Sequence, residues 1–155
     1  MFGGKHGNVP ELLLCVCIAF SSFAEENVPK NTLYDRLGGK PAVRAVVDDF
    51  VSRLLQDERV NRWFAQAMAD PARLAAYKTK LGDLVCQATG GPCKYSGLDM
   101  AAAHQGRGVS AEAFGAVVDD LVATLDKFNV PAKERDQLLG LLAPMKSSIV
   151  EEKSR

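Results

Sequence analysis

Histidine is scarce in this sequence. Its 155 residues contain two histidines, His6 and His104, and the first lies in an N-terminal segment with the features of a leader. A zinc site built from several histidines needs more imidazoles than the rest of the chain offers, and a serine, histidine and aspartate triad lacks obvious partners for His104. Both kinds of site are therefore disfavoured, and any imidazole chemistry depends on His104.

The sequence also has no excess of positive or negative charge. Lys and Arg together number 19, Asp and Glu together number 19, and the formal net charge at pH 7 is +0. Without a basic surface, binding to nucleic acid or to an anionic membrane is not expected. The hydrophobic fraction of 47% and the charged fraction of 25% are those of an ordinary globular protein. We therefore expect one domain with one core, and a monomer.

The apolar run near the N-terminus is too short for an ordinary transmembrane helix, which needs about 20 residues. It extends from Leu12 to Phe20, and the small residues Ser22 and Ala24 that follow are typical of a signal peptide cleaved after Ala24. The protein would then be periplasmic or secreted. An uncleaved membrane anchor and a mis-assigned start codon, which would leave the protein in the cytoplasm, are the alternatives. We predict a signal peptide over 1–24, a linker over 25–31, a domain over 32–151 and a tail over 152–155.

Cysteine is used sparingly, and of four cysteines only Cys86 and Cys93 lie outside the predicted leader. An oxidising compartment would permit a disulfide between them, since Cys86 falls late in a predicted helix and Cys93 follows a Gly-Gly-Pro turn. Two buried free thiols are the other interpretation, because unpaired cysteine commonly packs as a small apolar residue. The spacing leaves both interpretations open.

Apolar residues recur at intervals of three and four, which is the spacing of one face of an α-helix. Local signals mark the helix ends, such as Asp70 and Ser110 as caps and Pro71 at a first helical position. Pro144 should kink the last helix or tighten a turn within it. No segment shows the alternation of a strand, so we predict an all-α fold. The predicted helices cover 41–56, 60–64, 71–89, 99–105, 110 to about 129, and a last segment through 138–149.

Several separated motifs resemble one family. They are Leu33 to Gly39 (LYDRLGG), Val47 to Phe50 (VDDF), Gly90 to Gly97 (GGPCKYSG), Met100, and Ala103 to Gly108 (AHQGRG). Their order and spacing are similar to those of group I truncated haemoglobins, and the resemblance covers about residues 32–150. Because these motifs agree with one another, the resemblance is far more specific than any single glycine pair would be.

The resemblance implies a truncated globin, a two-over-two helical sandwich around a haem b that lies between the predicted 71–89 helix and the segment bearing His104. His104 matches the proximal histidine that ligates the iron, with its other ring nitrogen bonded to a backbone carbonyl. One imidazole suits such a site, because haem iron needs a single strong axial nitrogen from the protein. The sequence has no Cys-x-x-Cys-His motif, so non-covalent haem is expected.

The remaining cofactor-binding residues that the resemblance implies are mostly apolar or aromatic. They are Phe50, Val51, Phe64, Tyr77, Lys80, Leu81, Val85, Tyr95, Met100, Phe114 and Val117. Core packing is the plain alternative for Phe64 and the aliphatic residues, and it is compatible with contact to haem. For Tyr95 and the neighbouring Lys94, one interpretation is that they contact the haem propionates. The other is that Tyr95 packs within its loop and Lys94 is solvated.

The distal side departs from the family pattern. Group I members commonly have a tyrosine at the position of Val51 and often a glutamine at that of Leu81, and neither valine nor leucine donates a hydrogen bond. Tyr77 would replace the lost hydroxyl, or it would cover the pocket edge. Lys80 has two interpretations. In one, its amine loses a proton and binds the iron as a sixth ligand. In the other, its aliphatic stem lies along the porphyrin with the ammonium near a propionate.

The function that the resemblance implies is reversible binding of a diatomic ligand, dioxygen, nitric oxide or carbon monoxide, at iron ligated by His104. A haem enzyme acting on nitric oxide, nitrite or peroxide, served by an electron-transfer partner, is the alternative. The valine at position 51 counts against nitric oxide dioxygenation, which benefits from stabilised dioxygen. A third hypothesis, a haem-free helical interaction module, would leave the His104 motif without a role.

Overall fold

The computed structural model describes residues 31–151, apart from the side chains of Gln66 and Ala67. The predicted signal peptide, the predicted linker up to residue 30 and the predicted tail lie outside the described residues. Within 31–151 all regular structure is helical, which confirms the all-α prediction. The helices are α1 (Leu33–Arg36), α2 (Gly39–Gln56), α3 (Asn61–Met68), α4 (Pro71–Ala88), α5 (Met100–His104), α6 (Ala111–Lys127), α7 (Ala132–Leu142) and α8 (Lys146–Ile149).

The predicted helix starts are confirmed in their chemistry. The Asp70 side chain accepts a hydrogen bond from the backbone N–H of Ala72, and Pro71 is the first residue of α4. Likewise, Ser110 Oγ accepts from the N–H of Ala113 at the start of α6. These oxygens satisfy N–H groups that have no partner in the first turn of a helix. Local sequence therefore sets where the two long helices of the site begin.

Pro144 has the predicted effect on the last helical segment. It lies in a 3-10 turn, Ala143–Met145, that separates α7 from α8. Proline has no N–H to donate and its ring clashes with the preceding turn, so the α-helix cannot continue through it. The chain is thereby redirected, and α8 packs against the short helix α5.

α2 is the central element of the fold. It packs against α3, α4 and α6, and its buried face consists of Val43, Val47, Phe50, Val51 and Leu54. This face is shared between a core cluster with α4 and another with α3 and α6. A third cluster joins α1, α6 and α7 through Leu33, Leu125 and Leu138. No helix over residues 31–151 combines the length and the apolar character needed to cross a membrane.

A disulfide ties the end of α4 to the loop that follows it. Cys86 and Cys93 are bridged, with their Cα atoms 5.7 Å apart. Cys86 is buried in the same cluster as Tyr34. A Cβ atom added at Gly91 would lie 2.6 Å from Cys86 Sγ and 2.8 Å from Tyr34 Cγ, so only glycine fits beside the bridge. Of the two interpretations of these cysteines, the structure therefore contains the disulfide.

Candidate functional site

His104 is the last residue of α5, and its ring orientation is set by a hydrogen bond one turn back. His104 Nδ1 lies 2.8 Å from the carbonyl oxygen of Met100. A carbonyl oxygen only accepts, so in the neutral ring Nδ1 carries the proton and Nε2 holds a free lone pair. The side chain is half-buried. This is the tautomer and the degree of access that an imidazole needs to ligate a metal through Nε2.

α4 carries several of the other predicted pocket residues, and it is more open than expected for a helix packed on the central helix α2. Cys86 is its only buried residue, although α4 has a complete apolar face. The large side chains on that face are all half-buried: Leu74, Tyr77, Leu81, Leu84 and Val85. A soluble protein rarely leaves such a stripe uncovered, and an apolar crevice of this kind suits a large planar cofactor.

The structure brings most of the predicted pocket residues together. Phe50, Phe64, Leu81 and Val117 meet in one cluster, and Val51, Tyr77, Leu81 and Val85 meet in another. Leu81 belongs to both clusters and joins them. The rings of Phe64 and Tyr77 are 6.1 Å apart between centroids, in a tilted arrangement. Side chains from α2, α3, α4 and α6 thus converge on one apolar region.

The other predicted site residues have different surroundings. Met100 and Phe114 are half-buried outside these clusters, and Lys80 is exposed. Tyr95 is bonded within its own loop, where its hydroxyl donates to the carbonyl oxygen of Leu98 over 2.9 Å. Its backbone N–H donates to Gln87 Oε1 over 2.8 Å, which ties the loop to α4. The Tyr95 hydroxyl is therefore engaged in the loop.

Tyr77 is the polar group placed among the apolar residues of α4. Burial raises the pKa of Tyr77 to about 12, with a smaller contribution from Tyr95 and an opposing one from Arg107. The hydroxyl is consequently protonated at neutral pH and able to donate. Among the described parts of residues 31–151, which leave out the side chains of Gln66 and Ala67, no hydrogen bond involves this hydroxyl.

Two residues that the sequence patterns did not single out also hold the site. Trp63 Nε1 donates to the carbonyl oxygen of Arg107 over 2.9 Å, so α3 is tied to the loop after His104. Glu151 accepts hydrogen bonds from the same loop. Trp63 is the residue before Phe64 in the predicted 60–64 helix, and Glu151 follows the last of the sequence motifs by more than 40 residues.

Comparison with known proteins identifies the family of this chain. A model of the bacterial-like globin family matches residues 32–151. The chain belongs to this family. The globin is 34% identical over 118 residues to the group 1 truncated haemoglobin of Mycolicibacterium paratuberculosis, an alignment that covers 76% of this chain and 83% of that protein. It is also 40% identical over 105 residues to that of Synechocystis, which covers 65% of this chain and 81% of the relative.

Solved structures show the same fold. The truncated haemoglobin of Tetrahymena pyriformis in its Fe(III) form superposes with a TM-score of 0.72 at 26% identity, covering 79% of this globin and all (100%) of that chain. The 2/2 haemoglobin of Synechococcus, solved in the cyanomet state with covalently attached haem, gives 0.71 at 31% identity, covering 79% and 100%. The predicted two-over-two truncated globin fold is thereby confirmed.

Haem b, held non-covalently, is the standard cofactor of this family, of which the covalent attachment in the Synechococcus structure is a variant. The residues of this globin fit haem b. The half-buried apolar face of α4 supplies a crevice, and the Met100 carbonyl leaves Nε2 of His104 free. Burial of apolar surface provides most of the free energy for binding haem, and haem iron requires a single strong nitrogen ligand from the protein. The site thus combines an apolar crevice with one nitrogen donor, as haem requires.

Proposed function

We propose that this globin reversibly binds a diatomic gas, dioxygen, nitric oxide or carbon monoxide, with His104 as the axial ligand from the protein. The observation that carries the proposal is the hydrogen bond between His104 Nδ1 and the Met100 carbonyl oxygen. This hydrogen bond fixes the tautomer, orients the ring and makes Nε2 a stronger electron-pair donor to a metal. Haem supplies the iron at which a diatomic gas binds, and the chain supplies the nitrogen and the apolar surroundings.

The apolar interior beside the site supports a small uncharged ligand. A cavity of about 70 Å³ lies between α2, α4, α6 and α7, and Phe50, Leu81 and Val85 line it together with other apolar side chains. A cavity without polar partners does not hold water well, and it accepts small apolar molecules instead. Val51 is 1% exposed in the core cluster that contains Cys86, and its aliphatic side chain provides no polar group for a ligand.

The proposal is tested by visible spectroscopy on the full chain expressed with haem supply. We expect a Soret band in the ferric and ferrous forms, and a shift of the ferrous band on adding carbon monoxide that reverses when the gas is removed. A colourless protein would favour the haem-free interaction module. Catalytic loss of nitric oxide, nitrite or peroxide, measured with a chemical reductant, would favour the redox enzyme over simple binding.

We also propose that Tyr77 donates the hydrogen bond to the bound ligand that neither Val51 nor Leu81 provides. Its hydroxyl is protonated at neutral pH, and it has no hydrogen-bond partner among the side chains and backbone groups that the structure describes. Replacing Tyr77 with Phe should therefore raise the dissociation rate of dioxygen about tenfold, the effect of losing roughly 1.4 kcal/mol of hydrogen bonding. Stopped-flow displacement of the gas measures this rate.

The control for Tyr77 is Tyr95→Phe, because the Tyr95 hydroxyl is already bonded to the Leu98 carbonyl. Equal dissociation rates in Tyr77→Phe and the unaltered globin would refute the donor role. Lys80 is the competing distal group, and its exposed side chain agrees with a stem lying along the porphyrin edge. If Lys80 is instead a sixth ligand, the ferric spectrum changes from low to high spin in Lys80→Ala and stays unchanged in Lys78→Ala, whose ammonium pairs with Asp48.

An oxidising compartment is a further part of the proposal. The Cys86 to Cys93 disulfide is the supporting observation, because such bonds persist outside the reducing cytosol. It agrees with the signal peptide expected over 1–24. Gas binding or electron transfer would then take place in the periplasm or outside the cell, with a redox partner located there.

A further inference from the structure

The helix that carries His104 is too short to hold the imidazole by itself. α5 contains five residues, none of them buried. Isolated helices shorter than about 12 residues are marginal in water. The Asp99 side chain caps its start by accepting from the N–H of Ala102, and the Gln105 N–H bonds back to Ala101 at its end. Further stabilisation of α5 has to come from other parts of the chain.

The segment directly after α5, Gly106–Arg107–Gly108, is intrinsically flexible, and we call it the proximal loop. Gly106 and Gly108 have φ angles of 75° and 61°, in the left-handed region that favours glycine. The loop is nonetheless bonded on two sides. The Arg107 N–H donates to the carbonyl oxygen of His104 over 3.1 Å, and the Arg107 carbonyl accepts from Trp63 Nε1.

The remaining N–H groups of the proximal loop both point to one carboxylate. The Gly108 N–H donates to Glu151 Oε2 over 2.7 Å, and the Gly106 N–H donates to Glu151 Oε1. The backbone N–H of Glu151 in turn donates to the carbonyl oxygen of Val109 over 2.9 Å. Hydrogen bonds to an ionised acceptor are stronger than those between neutral groups. The two bonds to the Glu151 carboxylate therefore hold the proximal loop in place.

We propose that Glu151 is a positioning residue for His104, acting through the proximal loop. The carboxylate holds the loop against the segment after α8, and the bond from Arg107 to the His104 carbonyl transmits that constraint to the end of α5. The orientation of the imidazole is then set from the C-terminal end of the domain as well as by Met100. This inference rests on the proposed function, since it takes His104 as the axial ligand.

Two variants of the full chain with haem test the proposal. Glu151→Ala removes both acceptors, and Glu151→Gln keeps one carbonyl oxygen. We expect backbone amide exchange at Gly106 and Gly108, followed by NMR, to become about tenfold faster in Glu151→Ala and less so in Glu151→Gln. In the ferrous protein the iron–histidine stretching band in the resonance Raman spectrum should shift and broaden in the same order.

The control is Glu58→Ala, which removes an exposed carboxylate in the turn between α2 and α3. It should leave both readouts unchanged. Faster amide exchange without a change in the iron–histidine band would limit Glu151 to a structural role and overturn the proposal, and so would an unaltered exchange rate. An unchanged ferrous spectrum in His104→Gly would show that the proposed ligation by His104 itself is wrong, which separates the two failures.

Discussion

Replacing His104 with glycine is expected to remove the proposed axial ligand and lower haem affinity by at least about 100-fold, more than is typical when a residue supporting a ligand is lost. Glycine leaves a space the size of the imidazole at the end of α5. Free imidazole added to the variant should enter that space and restore the spectrum of the unaltered globin. Haem titration, with and without imidazole, measures both effects.

The matched control for this experiment is His6→Gly, which removes the other histidine of the chain. It should bind haem like the unaltered globin. Rescue by imidazole matters because it separates the loss of a ligand from a general loss of structure. If His104→Gly kept the original ferrous spectrum without added imidazole, another residue would be the axial ligand, and the assignment of α5 as the proximal helix would fail.

Removing the disulfide is expected to produce the largest change in stability. For a bridge that spans seven positions, restriction of the unfolded chain contributes about 2 kcal/mol. Cys86→Ser with Cys93→Ser should therefore lower the melting temperature of the haem-loaded globin by about 8 °C. Calorimetry at a fixed haem-to-protein ratio measures it, because bound haem itself stabilises the folded state.

Two comparisons make the disulfide experiment decisive. A reductant should lower the melting temperature of the unaltered globin by a similar amount and have little effect on the double variant. Cys15→Ser with Cys17→Ser, in the predicted leader, removes the other two cysteines of the chain and should not change the transition. If neither reduction nor the Cys86 and Cys93 variant lowered the melting temperature, the bridge would not stabilise the folded protein.

The loop that contains Cys93 is attached to α4 at two points. Cys93 lies two positions before Tyr95, and the Tyr95 N–H is bonded to Gln87 on α4. The bridge and this hydrogen bond both attach the loop to the helix that carries Tyr77 and Leu81. Both attachments lie near the end of α4, the helix whose half-buried apolar face we propose as a wall of the haem crevice.

The sequence alone indicated most of the helices and, through its motifs, the family, although α3 extends to Met68 beyond the predicted residue 64 and α7 begins at Ala132, before the predicted last segment. Asp70, Pro71 and Ser110 act through hydrogen bonds and steric limits within a few residues, so their effect can be read locally. Periodic apolar residues indicated which face of α2 is buried, since that pattern repeats with the helical turn. The motif around His104 was likewise contiguous, and its bond to Met100 spans a single turn of α5.

Tertiary structure decided the contacts that join distant parts of the chain. The sequence left Cys86 and Cys93 as either a disulfide or free thiols, and only the turn at Gly91 brings their sulfur atoms together. Trp63 reaches Arg107, and Glu151 reaches the proximal loop, across 44 and 43 to 45 positions. Such bonds depend on how whole helices pack, and no local pattern of residue types encodes the distance between two side chains brought together by folding.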